Sequence, residues 1–299
     1  MSSVETLKER FRTLSNPMTP ESTSATPKLK KLEGIEAVIF DFYGTLFISG
    51  VGDIGIDDGK SDAGLMLEAL KSVELEIIDE KAGSRGFKIY NKIVTEQLQD
   101  LKSSGIIHPE PDIRTVWRNV LNQMYAEELI ETPTDDNHHT QMAVEFEARM
   151  NPIWPMPDLE KTLRSLKDRD FKLGIVSNSQ FYTPIAFEAL TNKSLPEHGF
   201  DSDLLHWSYE ESRKKPDIIF YQHFLDKARK KIPGLEPENY LYVGNDMLKD
   251  VYPAYELGMK TALFAGDSRS LKWRKGDSRT RNLEPDLVIT ELSQVPECV

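Results

Sequence analysis

Short, nearly unbroken apolar runs, spaced along the chain with amphipathic segments between them, constrain its fold more than any other feature. EAVIFDF at 36–42 comes first, then FKLGIVSN at 171–178, YLYVGND at 240–246 and KTALFAG at 260–266, with a weaker DLVIT at 286–290. Runs of this length without polar alternation read as strands covered on both faces, the habit of parallel sheets. The segments between them have helical periodicity: 158–167, 216–231 with Pro216 in its first turn, and 249–257 closed by Gly258. Strand alternating with helix predicts a doubly wound α/β sheet with right-handed crossovers.

The alternation stops between the first two runs. Helical periodicity dominates there, with helices expected at 63–73, 79–101, 112–129 and 139–150. An all-helical insert at 50–152 is therefore expected, with the core made of 34–49 and 153–299 and the WPMP segment at 154–157 as the returning hinge. Residues 1–33 turn rich in Ser, Thr and Pro after a short helix-compatible stretch and read as a mobile arm, because they bury too little apolar surface to offset their ordering entropy.

The composition excludes several partners. Lys and Arg number 37 against 49 Asp and Glu, a net charge of −12 that disfavours nucleic acid and anionic membrane surfaces. No stretch approaches the roughly 18 apolar residues of a membrane-spanning helix. One cysteine, Cys298, forms no intrachain disulfide, and the polar start carries no secretory signal, so a cytoplasmic protein is expected.

Ligands of doubly wound sheets bind at the carboxyl ends of the strands. The ends here carry Asp41 with Tyr43, Gly44 and Thr45; Ser177 with Asn178; Lys215 before a helix; and Asn245 with Asp246, Asp250 standing four residues further on. This set suits displacement at an electrophile. Asp41 attacks as a nucleophile and forms a covalent aspartyl intermediate. Gly44 lets the backbone turn so that amides face an anion, Ser177 and Asn178 donate to the same anion, and Lys215 keeps Asp41 ionised. Asp246 and Asp250 complete an oxygen-rich Mg²⁺ site with Asp41.

At these residues the chain resembles the haloacid dehalogenase superfamily, whose four motifs appear in order as DFYGTL at 41–46, Ser177-Asn178, Lys215-Pro216 and GNDMLKD at 244–250. The resemblance covers the sheet domain. It implies a Rossmann-like core, a helical cap in the position of the insert, a hydrolase with Asp41, Tyr43, Thr45, Ser177, Asn178 and Lys215 in catalysis, and Mg²⁺ held among Asp41, Tyr43, Asn245, Asp246 and Asp250.

Two departures leave the subgroup open. Phosphatases of the family have a second Asp two residues after the nucleophile, to protonate the leaving oxygen; Tyr43 stands there, as in dehalogenases whose halide leaves without a proton. A phenol is a poor proton shuttle at neutral pH. The last motif keeps the longer phosphatase spacing, with Asn245 where an Asp is usual. The readings are an Mg²⁺-dependent phosphatase of a small phosphorylated metabolite, a metal-independent 2-haloacid dehalogenase, or a non-catalytic binding protein on the same scaffold, each acting on or binding a small anionic substrate.

GVGDIG at 50–55 matches a dinucleotide fingerprint literally but lacks its strand-to-helix turn and reads as a hinge. His138-His139 reads as solvated loop. Six basic residues lie between Arg269 and Arg281, either a solvated loop or a positive rim that attracts an anionic substrate.

Overall fold

β1 (Ala37–Phe40) is buried at every position and lies inside a six-stranded parallel sheet of the computed structural model, which describes residues 4–51 and 63–299. β2 (Phe47–Ser49) and β3 (Ile153–Pro155) form a separate antiparallel pair, and the sheet continues with β4 (Lys172–Ser177), β5 (Phe200–Trp207), β6 (Tyr240–Gly244), β7 (Lys260–Phe264) and β8 (Leu287–Ile289). The strand order is β5-β4-β1-β6-β7-β8. β1 pairs with β4 on one side and β6 on the other, so the chain turns outward in opposite directions from one central strand. That is the switch point at which such sheets bind ligands.

Apolar residues on the two sides of the sheet explain why the strands read as continuous runs. Val38 and Phe40 face one cluster with Phe42, Leu173, Ile175 and Val243, while Ala37 and Ile39 face another with Phe220, Phe224, Tyr240 and Tyr242. The fold class is the doubly wound α/β expected from the sequence.

Helix α1 (Val4–Leu14) precedes the sheet, and among the described residues four helices lie between β2 and β3: α2 (Ala63–Ser72), α3 (Ala82–Ser103), α4 (Ile113–Ala126) and α5 (Asp136–Met150). Trp117, Tyr90 and Phe146 pack ring to ring at 5.1 Å in the middle of this insert. The expected hinge at WPMP is the strand β3, whose register Phe47–Pro155, Ile48–Trp154 and Ser49–Ile153 ties the exit of the insert to its entrance. After β3 come α6 (Leu159–Lys167), α7 (Thr183–Thr191), α8 (Ser208–Glu211), α9 (Ile218–Lys231), α10 (Tyr252–Glu256) and α11 (Val295–Cys298).

Several expectations need correction. The arm read as mobile is docked: α1 buries Leu7 and Phe11, and the chain after it runs along the sheet edge, with Lys28 and Val288 exchanging backbone hydrogen bonds of 2.9 and 3.1 Å. β5 and α7 have no counterpart in the sequence reading. The helix expected to contain Pro216 starts at Ile218, where the Asp217 side chain caps the Ile219 amide at 3.0 Å. The helix expected at 249–257 is a π turn, Met247–Val251, followed by α10. His138 and His139 sit in the first turn of α5, His139 buried beside Thr134. Of GVGDIG, Gly52 to Gly55 lie outside the described residues. None of the described helices is long and apolar enough to cross a membrane.

Candidate active site

Asp41 follows β1 directly, its amide donating to the Val243 carbonyl at 2.9 Å, so β6 fixes the position of its backbone. Its Oδ1 accepts a hydrogen bond from Ser177 Oγ at 2.8 Å and lies 2.6 Å from Lys215 Nζ. The same ammonium group reaches Asp250 Oδ1 at 2.6 Å. The ends of β1 and β4, the loop before α9 and the turn after β6 thus meet on one cation. Asp41 is 7% exposed, whereas Lys215 and Asp250 are more deeply buried at 3% and 1%. The nucleophile candidate therefore forms the accessible tip of a buried cluster.

Electrostatics follow from this burial. Loss of water alone would lower the pKa of Lys215, but Asp250 and Asp41 raise it above the ordinary lysine value, so it stays an ammonium ion. Burial pushes Asp250 up to about 7, against the downward pull of Lys215 and with the negative charge of Asp41 adding to the rise. Asp250 Oδ2 also accepts the Asp246 amide at 2.9 Å. A Cβ on Gly244 would lie 2.4 Å from Asp250 Cγ, so only glycine lets this carboxylate fold back over β6.

Asn178 does something other than the role expected of it. Its Oδ1 accepts the Lys215 amide at 2.8 Å and its Nδ2 donates to the Lys215 carbonyl at 3.3 Å, so it holds the backbone that presents the lysine. Thr45 Oγ1 donates to Asn245 Oδ1 at 3.2 Å, and Asn245 Nδ2 donates to the Ser270 carbonyl at 2.7 Å. The Tyr43 hydroxyl lies 3.0 Å from Thr183 Oγ1, and burial raises its pKa far above the phenol range. The ring is therefore no proton donor at neutral pH.

Gly44 has φ +81°, and a Cβ there would come within 2.5 Å of Ser270 Cβ and 2.9 Å of Asn245 Nδ2. Gly44→Ala is expected to shift the turn that presents Asp41 and to lower turnover about 10²-fold, with an unchanged far-ultraviolet circular dichroism spectrum checking that the fold survives.

The Asp246 carboxylate is engaged by other partners. Arg274 clamps its carboxylate, with Nη2 2.7 Å and Nε 3.1 Å from Oδ2, and its Oδ1 caps the amides of Leu248 and Lys249 at 2.8 and 3.2 Å. Among the described residues no group of three or more acidic, histidine or cysteine side chains is arranged to hold a metal ion. The oxygens beside the nucleophile nevertheless suit Mg²⁺, which takes one or two carboxylates and completes its shell with water and substrate phosphate. Of the residues expected to hold it, Asp41 and Asn245 stand at the carboxyl ends of the paired strands β1 and β6. Asn245 is held in place from two sides, and the buried Ser270 hydroxyl next to it has no protein partner.

The basic loop is largely paired within itself or with the core: Arg269 with Asp267, Arg274 with Asp246, and Arg279 with Asp277.

A family profile described as haloacid dehalogenase-like hydrolase matches residues 35–254. The chain belongs to that family. A glyceraldehyde 3-phosphate phosphatase of Methanocaldococcus jannaschii is 31% identical over 137 residues, 46% of this chain and 52% of the relative. The rhythmically expressed gene 2 protein of Drosophila melanogaster is 26% identical over 161 residues, 52% of this chain and 59% of the relative. The chain thus spans little more than half the length of these curated relatives. Among solved structures, the 2-haloacid dehalogenase of Pseudomonas syringae superposes with a TM-score of 0.53 at 18% identity, covering 88% of this chain and 97% of that one, a likeness of fold.

This haloacid dehalogenase-like hydrolase also has residues at its site that sequence reasoning missed. The Tyr242 hydroxyl donates to the Val176 carbonyl at 2.7 Å and lies 3.3 Å from both Lys215 Nζ and Asp250 Oδ1. Nothing in YLYVGND separates this tyrosine from an ordinary core aromatic. Gln180 joins the insert to the core: its Oε1 accepts the Ile113 amide at 3.0 Å and its Nε2 donates to the Pro111 carbonyl at 3.0 Å. Glu147, on α5, is half-buried, and loss of water pushes its carboxyl up to about 7. Its charge acts on the phenols of Tyr43, Tyr90 and Tyr182, which places it among the side chains where insert and core meet.

Proposed function

We propose that this hydrolase is a phosphatase of a small phosphorylated metabolite and works through a covalent intermediate on Asp41. The observation that carries the reading is the Asp41 carboxylate held between the Ser177 hydroxyl and the Lys215 ammonium at the open end of the central strand. The relatives named as phosphatases and the long spacing from Gly244 to Asp250 support it.

In this mechanism an Asp41 oxygen attacks phosphorus, and the bond from phosphorus to the leaving oxygen breaks. Lys215 stays charged and offsets the negative charge that builds up on the transferring group, a role that a fixed buried cation performs with little reorganisation. Ser177 keeps one carboxylate oxygen oriented by hydrogen bonding. Water then attacks the phosphorus of the aspartyl phosphate, which restores Asp41 and releases phosphate. Mg²⁺, held by Asp41, the Tyr43 carbonyl and Asn245, would supply further neutralisation of the phosphoryl oxygens. Tyr43 contributes its main chain, and the leaving oxygen takes its proton from solvent water.

Glu147 gives this site a pH dependence. Its folded pKa lies above that of an exposed carboxyl, so it is neutral below about 7 and ionised above. Substrate anions then meet an extra negative charge as the pH rises through 7. The expected result is a kcat/KM for p-nitrophenyl phosphate that falls through that range, and a flatter profile for Glu147→Gln.

A second reading, hydrolysis of short 2-halo acids without metal, is favoured by Tyr43, since departing halide needs no proton. The two are separated by incubation with p-nitrophenyl phosphate and with 2-chloropropionate, each with Mg²⁺ and with EDTA. Phosphate release abolished by EDTA is the expected outcome. Chloride release that persists in EDTA, with no phosphate release, replaces the phosphatase reading by the dehalogenase one.

A further inference from the structure

We propose that α1 is a staple that holds the helical insert against the core, and that Phe11 and Arg10 are positioning residues for the mouth of the site. Three observations carry this. First, α1 packs on α7 of the core and on α5 of the insert at once. Lys8 pairs with Glu188 and Arg12 Nε donates to the Ala189 carbonyl at 3.2 Å on the α7 side. On the α5 side, Arg10 Nη2 donates to Glu145 Oε2 at 3.0 Å. Second, Glu145 is buried, and its charge is also met by Arg149 of the same helix. A buried carboxylate needs such pairing, so the link through Arg10 is built into the packing and is no incidental surface contact.

Third, the staple reaches the site. Phe11 is 1% exposed, and its ring centroid lies 6.2 Å from that of Tyr182. Tyr182 precedes Thr183, whose hydroxyl meets the Tyr43 phenol, and Tyr43 is two residues from Asp41. Gln180, two residues before Tyr182, is the side chain that receives the loop leading into α4. Segment 180–183 is therefore contacted by α1, by the insert and by the nucleophile turn. An element that fixes this segment in advance spares the substrate the ordering of its own binding surface.

The test is hydrogen exchange on the full chain, read segment by segment, for wild type, Phe11→Ala, Phe11→Leu and Arg10→Gln. Phe11→Ala is expected to speed exchange on the order of tenfold in α5 and in segment 180–183, leaving β1, β4 and β6 unchanged. Phe11→Leu restores most of the protection. Arg10→Gln raises exchange in α5 and keeps the variant set decisive should Phe11→Ala fail to fold. Faster exchange confined to α1 itself overturns the proposal. The kinetic part rests on the phosphatase reading: KM for p-nitrophenyl phosphate is expected to rise about tenfold in Phe11→Ala, with kcat changed far less. An equal loss in kcat with KM unchanged removes the positioning role. A wild type without phosphatase activity defeats the functional reading alone, because the exchange pattern still decides whether the staple exists.

Discussion

Replacing Asp41 with asparagine is expected to lower hydrolysis on the order of 10⁴-fold or more while leaving the fold intact. The amide is nearly isosteric and can still accept from Ser177 and Lys215, so the local geometry has little reason to change. It lacks the charge and nucleophilicity needed to attack phosphorus or carbon. The loss should therefore appear in kcat for both candidate substrate classes, and single-turnover labelling with a phosphorylated substrate should no longer leave an acid-stable mark on the protein. Activity within tenfold of wild type would remove covalent catalysis at this residue.

Lys215→Met is expected to be the most damaging single change to stability. The methionine fills the same volume but leaves the buried carboxylates of Asp41 and Asp250 without the cation that lies 2.6 Å from each. Breaking a buried pair by removing one partner typically costs about 3–5 kcal/mol, measurable as a drop in unfolding free energy in urea. The loss should depend on pH in a defined direction. A carboxyl whose folded pKa lies above its unfolded value favours the folded state at low pH and loses that advantage as the pH rises through the folded value. For Asp250 the window opens in the ordinary carboxylate range near 4 and, with the downward pull of Lys215 gone, extends above the wild-type value of about 7. The variant should be least impaired near pH 4–5 and most impaired near pH 8. An equal deficit at both ends would show that lost packing, and no electrostatic debt, is responsible.

The parts of the fold visible in the sequence are those fixed by local chemistry. β1, β4, β6 and β7 are covered on both faces, so their apolar runs are nearly continuous. β5 shares the sheet but reads FDSDLLHW, with buried and exposed positions interspersed, because it lies at the sheet's outer edge. α7 begins with Thr-Pro and has no clear polar face, so periodicity gives little hint of it. The docking of α1 was illegible for a different reason: its partners are α5 and α7, more than a hundred residues away, and no pattern within 4–14 names them.

Within the site, Asp41, Ser177, Lys215 and Asp250 are legible as a set because each sits at a strand end or in the turn or loop that follows one. What each side chain does there depends on distant neighbours. Arg274 takes Asp246 from a loop 28 residues further along, and Asn178 turns to the Lys215 backbone; neither could be read from the motifs alone. Tyr242 and Glu147 carry no motif, since burial and the approach of other elements give them their chemistry.

The pairing of β2 with β3 has a practical consequence. Chain enters the insert at Ser49 and returns at Ile153, and these two residues are partners in one register. The chain thus leaves and rejoins the core at one two-stranded ribbon, beginning a few residues after Asp41. Such an attachment makes the module exchangeable: a foreign cassette whose ends lie one strand spacing apart can be spliced between those partners without touching the hydrolytic residues, provided its surface also accepts α1. The insert is then replaceable by recombination at two nearby sites.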